Sequence, residues 1–245
     1  DYPALPGEMF LQLGANRLQQ AVNALPSQDT NVILFGHSEG AQVIYTVLRR
    51  WEANPSTAPD PSRVSWVSIG NPENTFGGKS PDPIPADSPY QGTEVIRQYD
   101  GWADWPTRFN PIAFANAIVG AQLVHPNYWN VDLNDPNNIR YVQGNVTYVF
   151  VPNPVLPLVQ LTGPLAPLLN PVLDPILRPI VESAYTRPIG PVGMLNPSAA
   201  VAVPPARPAG VRAVAGSART PVAAKVSRAE HAKPAAAAKR RSPLR

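Results

Sequence analysis

Along the first half of the chain, apolar positions recur in two rhythms, and each switch between them marks an element. From Glu8 to Leu25 the apolar residues Phe10, Leu11, Leu18, Ala21, Val22 and Leu25 fall at helical spacing, with Arg17, Gln19 and Gln20 on the other side. This predicts an amphipathic helix closed by Pro26. Asn31-Val32-Ile33-Leu34-Phe35 is an apolar run of strand length, and Ala41 to Leu48 returns to helical spacing in a helix reaching about Trp51, before Asn54-Pro55 and Asp60-Pro61. Val64 to Ile69 reads as a second strand, apolar on both faces as a helix-covered parallel sheet requires. After it, Gly70-Asn71-Pro72 opens a polar loop running to about Gln91. Thr93 to Tyr99 reads as a third strand ending at Asp100, and Asn110-Pro111 as the cap and first turn of a helix from Ile112 to about Gln122. Arg140 to Gln143, Gly144-Asn145 and Val146 to Val151 predict a β-hairpin. Between Pro154 and Pro191, Leu, Val, Ile and Pro dominate, and prolines at 171, 175 and 179 predict short helical turns rather than one helix. Strand and helix in alternation imply an α/β fold with a mainly parallel sheet flanked by helices.

Composition changes this picture at the C-terminal end. The 245 residues are 44% hydrophobic, enough for a full core, yet they include 32 prolines and only 15% charged residues. From Asn196 to Arg245 the chain is mostly Ala, Pro, Val and basic residues, with no Phe, Trp or Tyr, which reads as a disordered tail behind a domain of residues 1–195. That tail holds ten Lys or Arg against Glu230 alone, a formal charge of +9, so the first 195 residues carry −6 of the overall +3. The pI near 9.3 therefore belongs to the tail and argues against nucleic acid as a partner of the fold. With no cysteine, disulfides, thiolate metal sites and a cysteine nucleophile are excluded. No His/Asp/Glu cluster has ligand spacing, so neither a metal nor a cofactor is expected. No apolar run is long enough to span a bilayer. The chain opens on Asp1 with no signal peptide, and little precedes the first helix, so an N-terminally truncated sheet is expected.

The chemistry centres on Gly36-His37-Ser38-Glu39-Gly40, between the first strand and its helix. In that context G-x-S-x-G describes a nucleophile elbow: the serine sits in a strained backbone conformation, and flanking glycines remove Cβ atoms where strand and helix cross. Ser38 then lies at the positive end of the helix, with the Glu39 N–H aimed where an oxyanion would form. A serine hydroxyl needs a base within hydrogen-bond reach. Of three histidines, His37 lies inside the elbow, its ring turned away from the hydroxyl, and His231 lies in the tail, so His125 becomes the base by elimination. The acid that orients it must follow a later strand if chain order is serine, acid, histidine. Tyr99-Asp100-Gly101-Trp102-Ala103-Asp104 offers two carboxylates there. Asp100, at the strand end, is preferred, with Asp104 as the alternative acid.

These stretches together resemble the PE-PPE domain, a serine α/β-hydrolase module. The resemblance rests on Tyr2-Pro3-Ala4, the elbow with Ala41-Gln42-Val43, Gly70-Asn71-Pro72, Tyr99 to Pro106, Val124-His125-Pro126-Asn127-Tyr128, and the Leu/Pro-rich run ending near Val181 to Tyr185. It implies an α/β-hydrolase-like fold similar to cutinases and lipases, favours Asp100 as the acid, and implies esterase or lipase activity on acyl esters, with some relatives acting as acyltransferases on envelope glycolipids. It also implies an extracellular or cell-envelope setting. The upstream strand and the loop that supplies a second oxyanion donor in such enzymes fall outside this sequence. The segment at about 154–191, apolar apart from Asp174, Arg178, Glu182 and Arg187, is expected to be a cover that binds an acyl chain or ordinary packing on the sheet. A non-catalytic alternative is a binding module whose basic tail attaches weakly to an anionic envelope or membrane surface; a solvated linker is the simpler reading of that tail.

Overall fold

The computed structural model describes residues 7–25, 31–82, 84 and 87–188. Tyr2-Pro3-Ala4, the tail from residue 196 and the domain boundary expected before it lie outside the described residues. Five strands form one sheet: β1 (Val32–His37), β2 (Val64–Ile69), β3 (Gln91–Arg97), β4 (Ile139–Gln143) and β5 (Val146–Val151), in the order β1-β2-β3-β5-β4. The first four of that order run parallel, and β4 returns antiparallel to β5 through the turn at Gly144-Asn145. The sheet is thus mainly parallel and the fold α/β. Helices α1 (Glu8–Ala24) and α2 (Glu39–Ala53) pack together, and α2 also lies on β1 and β2.

The sequence explains how each of these elements is held. Helix α2 buries Ala41, Val43 to Leu48 and Trp51, nearly its whole circumference, because it is sandwiched between the sheet and α1. Trp51, Trp66, Tyr45 and Tyr90 are the largest fully enclosed side chains of that core. Helix α3 (Pro111–Leu123) begins where Asn110 accepts from the amides of Ile112 and Ala113, with Pro111 in the first turn where no amide is missed.

One expectation is borne out and one is corrected. The mainly parallel sheet is flanked by helices as expected, while at its edge among the described residues, on β1, Ile33 and Phe35 are each 68% exposed. Farther across, Ile69, Val131 and Val151 pack around Val95, Tyr128 and Val149. The proline-rich segment behaves differently from expectation. After the short helix α4 (Pro157–Gln160) it forms one 17-residue helix, α5 (Ala166–Glu182), with Pro171, Pro175 and Pro179 inside it. Four-residue spacing puts these prolines on one exposed side, so the missing amide bonds fall in a single stripe while Leu169, Leu173, Leu177 and Val181 face inward. Those side chains, with Leu156 and Val159, pack on Tyr99 and Ala113. Enclosing one leucine such as Leu156 stabilises by about 2 kcal/mol. No helix among the described residues is long and apolar enough to cross a membrane.

Candidate active site

Ser38, Asp100 and His125 meet at the carboxyl ends of the parallel strands, the end where open α/β sheets bind ligands. Ser38 follows β1 directly and adopts φ 55, ψ −118, a conformation that L side chains rarely take. Its amide continues the ladder to the Ile69 carbonyl (3.0 Å), while its carbonyl accepts from Ala41 and Gln42 and so starts α2. A Cβ on Gly36 would lie 2.4 Å from the Gly40 carbonyl oxygen, so strand and helix cross too closely for any other residue there. A Cβ on Gly40 would meet nothing within 4 Å. Only the first of the two flanking glycines is required by the crossing.

The imidazole of His125 lies between serine and acid. Its Nδ1 is 2.8 and 2.9 Å from the two Asp100 oxygens, and its Nε2 is 2.8 Å from the Ser38 Oγ. A carboxylate only accepts, so Nδ1 carries the proton and Nε2 is left to accept from the hydroxyl. Glu39 is the first residue of α2, and the amides of a first helical turn have no intrahelical partner. Its N–H therefore has no partner within the helix. Asp104 is engaged elsewhere: its carboxylate accepts both arms of the Arg187 guanidinium (2.8 and 2.6 Å) and the Tyr99 amide (2.7 Å). Of the two candidate acids, Asp100 is the one at His125.

Several contributors were not visible in the sequence. The Tyr128 hydroxyl donates to Asp100 Oδ2 (2.7 Å) and accepts from the Arg97 amide (3.1 Å). Burial, with the Asp100 charge beside it, pushes its pKa well above the ordinary phenol value, so it remains a donor. Asp100 also accepts from the amides of Trp102 (2.9 Å) and Ala103 (3.2 Å). His37, whose ring does not reach the hydroxyl, donates from Nε2 to the His125 carbonyl (3.0 Å) and lies 4.9 Å from its ring. Gly70, at φ +60, lets the chain pass under the three residues; a Cβ there would come within 3.2 Å of Asp100 Oδ2. Trp102 stands partly exposed 6.2 Å from His125, with the Lys79 ammonium 4.2 Å above its ring. The only sequence signal for any of these was nearness to the motifs: His37 is inside the elbow, and Tyr128 is three residues beyond His125.

Among the described residues no group of three or more His, Cys, Asp or Glu side chains is placed to hold a metal ion. A cavity of about 440 Å³ bounded by Trp51, Glu52, Asp60, Asp87, Ser88 and Tyr90 lies at the amino ends of the strands, away from Ser38.

A mainly parallel sheet with a strained serine at the turn from an apolar strand into a helix places the chain among α/β proteins with a nucleophile-elbow geometry. Comparison narrows the class: the PE-PPE domain family profile matches residues 8–186, and the chain belongs to that family. It is similar to Esterase PE16 of Mycobacterium tuberculosis, 29% identical over 184 residues, covering 64% of this chain and 34% of that protein. It is also similar to Diacyltrehalose acyltransferase Chp2 of the same organism, 31% identical over 150 residues, 52% of this chain and 41% of that protein. SL1278 acyltransferase Chp1, again from Mycobacterium tuberculosis, is 32% identical over 117 residues, 43% of this chain and 28% of its own. The chain thus spans between about a quarter and two fifths of the length of these relatives. No solved structure matches significantly.

Proposed function

We propose that the protein is a serine hydrolase that cleaves acyl esters through an acyl-enzyme, with Ser38 as nucleophile, His125 as general base and acid, and Asp100 as the group that orients His125. The observation that carries this reading is the 2.8 Å contact between the Ser38 hydroxyl and His125 Nε2, made from a serine at positive φ at the head of α2. In the first step Ser38 Oγ attacks the ester carbonyl while His125 Nε2 takes its proton. The carbonyl oxygen becomes an oxyanion, to which the Glu39 N–H donates. One such donor is worth about two to three powers of ten in rate. Collapse expels the alkoxide, which takes the proton from His125. Water, deprotonated by the same imidazole, then releases the acid and frees Ser38. Throughout, the Asp100 charge stabilises the imidazolium, and Tyr128 and the Trp102 and Ala103 amides keep that carboxylate in place.

The names of the two acyltransferase relatives favour a second reading, in which the acyl-enzyme is intercepted by a sugar hydroxyl instead of water. The residues and steps are the same up to the acceptor. Replacing Ser38 with Ala is expected to abolish turnover of short- and medium-chain nitrophenyl esters, and full turnover in that variant would rule out this nucleophile. Incubation with a lipid donor and a disaccharide separates the two readings: acylated sugar by mass spectrometry means transfer, free acid alone means hydrolysis.

A further inference from the structure

The segment between Pro154 and Pro191 holds just four charged residues, Asp174, Arg178, Glu182 and Arg187. The last two are buried, with Arg187 7% and Glu182 5% exposed, in a part of the chain otherwise made for apolar packing. A buried charge is tolerated only when its partners are complete, and here the partners all lie around one residue, Tyr99. Arg187 binds Asp104 with Nε and Nη2, and Glu182 with Nη1 (2.6 Å). Asp104 accepts the Tyr99 amide (2.7 Å), and Glu182 accepts the Tyr99 hydroxyl (2.6 Å) and the Gln98 side-chain amide (2.9 Å). Arg178 donates to the same hydroxyl (3.1 Å). The result is a closed ring, from the backbone of Tyr99 through Asp104, Arg187 and Glu182 to the tip of its own side chain.

Tyr99 is the one described residue besides Ser38 that is not glycine and has positive φ, at 66°. For a bulky L residue that conformation is uphill, so released from its surroundings this turn would relax. Asp100 is the next residue. Its carbonyl accepts from the Asp104 amide (2.7 Å), and the direction of its Cα–Cβ bond follows the Tyr99 dihedrals. We infer that Arg187 is a positioning residue for the proposed acid: with Asp104 and Glu182 it clamps Tyr99 in its left-handed conformation and thereby aims Asp100 at His125. The end of the cover segment, 83 positions along the chain from Asp104, sets the geometry of the site. This inference rests on the acyl-transfer reading for its kinetic consequence, but not for its structural one.

The test uses the full chain with Arg187→Lys, which keeps the charge and loses the fork, and Tyr99→Phe, which removes only the hydroxyl. Three readouts are taken: thermal melting, steady-state kinetics across pH on a nitrophenyl ester, and the downfield NMR signal of the imidazole proton on Nδ1 bonded to Asp100. The titratable groups facing His125 are Asp100 from the exit of β3, Tyr128 from its own loop and His37 from β1. Expected for Arg187→Lys is a fall in kcat of about tenfold with KM within about twofold, and the downfield signal broadened or lost. Tyr99→Phe is expected to show the same pattern at about threefold. If Arg187→Lys does not fold, Tyr99→Phe decides. Folded variants that keep the downfield signal overturn the inference, whether or not kcat changes. The proton signal needs no turnover: a wild type inert on all esters refutes the functional reading, while the signal in wild type and variants still decides the clamp.

Discussion

Asp100 and Asp104 stand on the same loop, both fully buried, and their surroundings give them opposite uses. Asp100 takes its hydrogen bonds from two backbone amides, a phenol and an imidazole. None of these is a permanent cation, so in the proposed mechanism the carboxylate is left to face an imidazolium formed beside it. Asp104 receives a guanidinium through two parallel bonds and has no charge left over. Glu94 is a third case: it is completely buried, accepts from Tyr45, Ser68 and Asn71, and has one oxygen without a partner. Burial alone does not say whether a carboxylate is reactive or structural. Its donors separate Asp104, held by a guanidinium, from Asp100 and Glu94, held by none, and only Asp100 faces an imidazole.

The contrast can be broken most directly at Asp100. Replacing it with Asn keeps the shape but no longer stabilises an imidazolium, and kcat for ester cleavage is expected to fall by about three to four powers of ten with the melting temperature little changed. The reverse pattern is expected at Asp104. Asp104→Asn leaves Arg187 half-paired in the interior, which costs about 3–5 kcal/mol of stability and lowers the melting temperature by about 10 °C, with a smaller loss of kcat than at Asp100. Calorimetry and kinetics on the two variants side by side check both statements.

Glu94 sharpens the comparison through pH. Burial raises its pKa from 4.5 to about 7, against the pull of its three donors. Between those values the folded chain holds a proton that the unfolded chain has released, so stability falls as pH rises through this window, by on the order of 3 kcal/mol in total. Glu94→Gln removes the dependence. Its melting temperature relative to wild type is expected to climb between pH 5 and pH 8; a constant difference would show that Glu94 does not titrate there. The smallest effect in this comparison of carboxylates is expected at Tyr128. Tyr128→Phe takes one donor from Asp100 while three remain, and kcat is expected to drop by about tenfold without a change in KM.

Much of the site was legible because its chemistry is local or its residues are rare. The elbow needs a strand, a turn and a helix in immediate succession, and all three have short-range signals between Asn31 and Leu48. His125 emerged because only two other histidines compete with it. The choice between Asp100 and Asp104 was harder, since what separates them is Arg187, far along the chain and meeting Asp104 only in the folded protein. Tyr128 and His37 were opaque for the same reason: their roles are contacts, and no spacing rule marks them. Helix α5 was misjudged because each proline was weighed singly, whereas at four-residue intervals they share one exposed side and leave the inner leucines in register. The edge position of β1 among the described residues was equally hidden, because an apolar strand reads the same at a sheet's edge as at its centre.

The central claim is that the Ser38 hydroxyl, activated by His125, is the attacking group. Treatment of the full chain with a fluorophosphonate, followed by mass spectrometry of the peptide containing Ser38, tests it without knowledge of the natural substrate. The account predicts a stoichiometric adduct on Ser38 that is absent in Ser38→Ala and strongly slowed in His125→Ala. An unmodified Ser38 in folded wild-type protein, or labelling that is undiminished when His125 is removed, would contradict it.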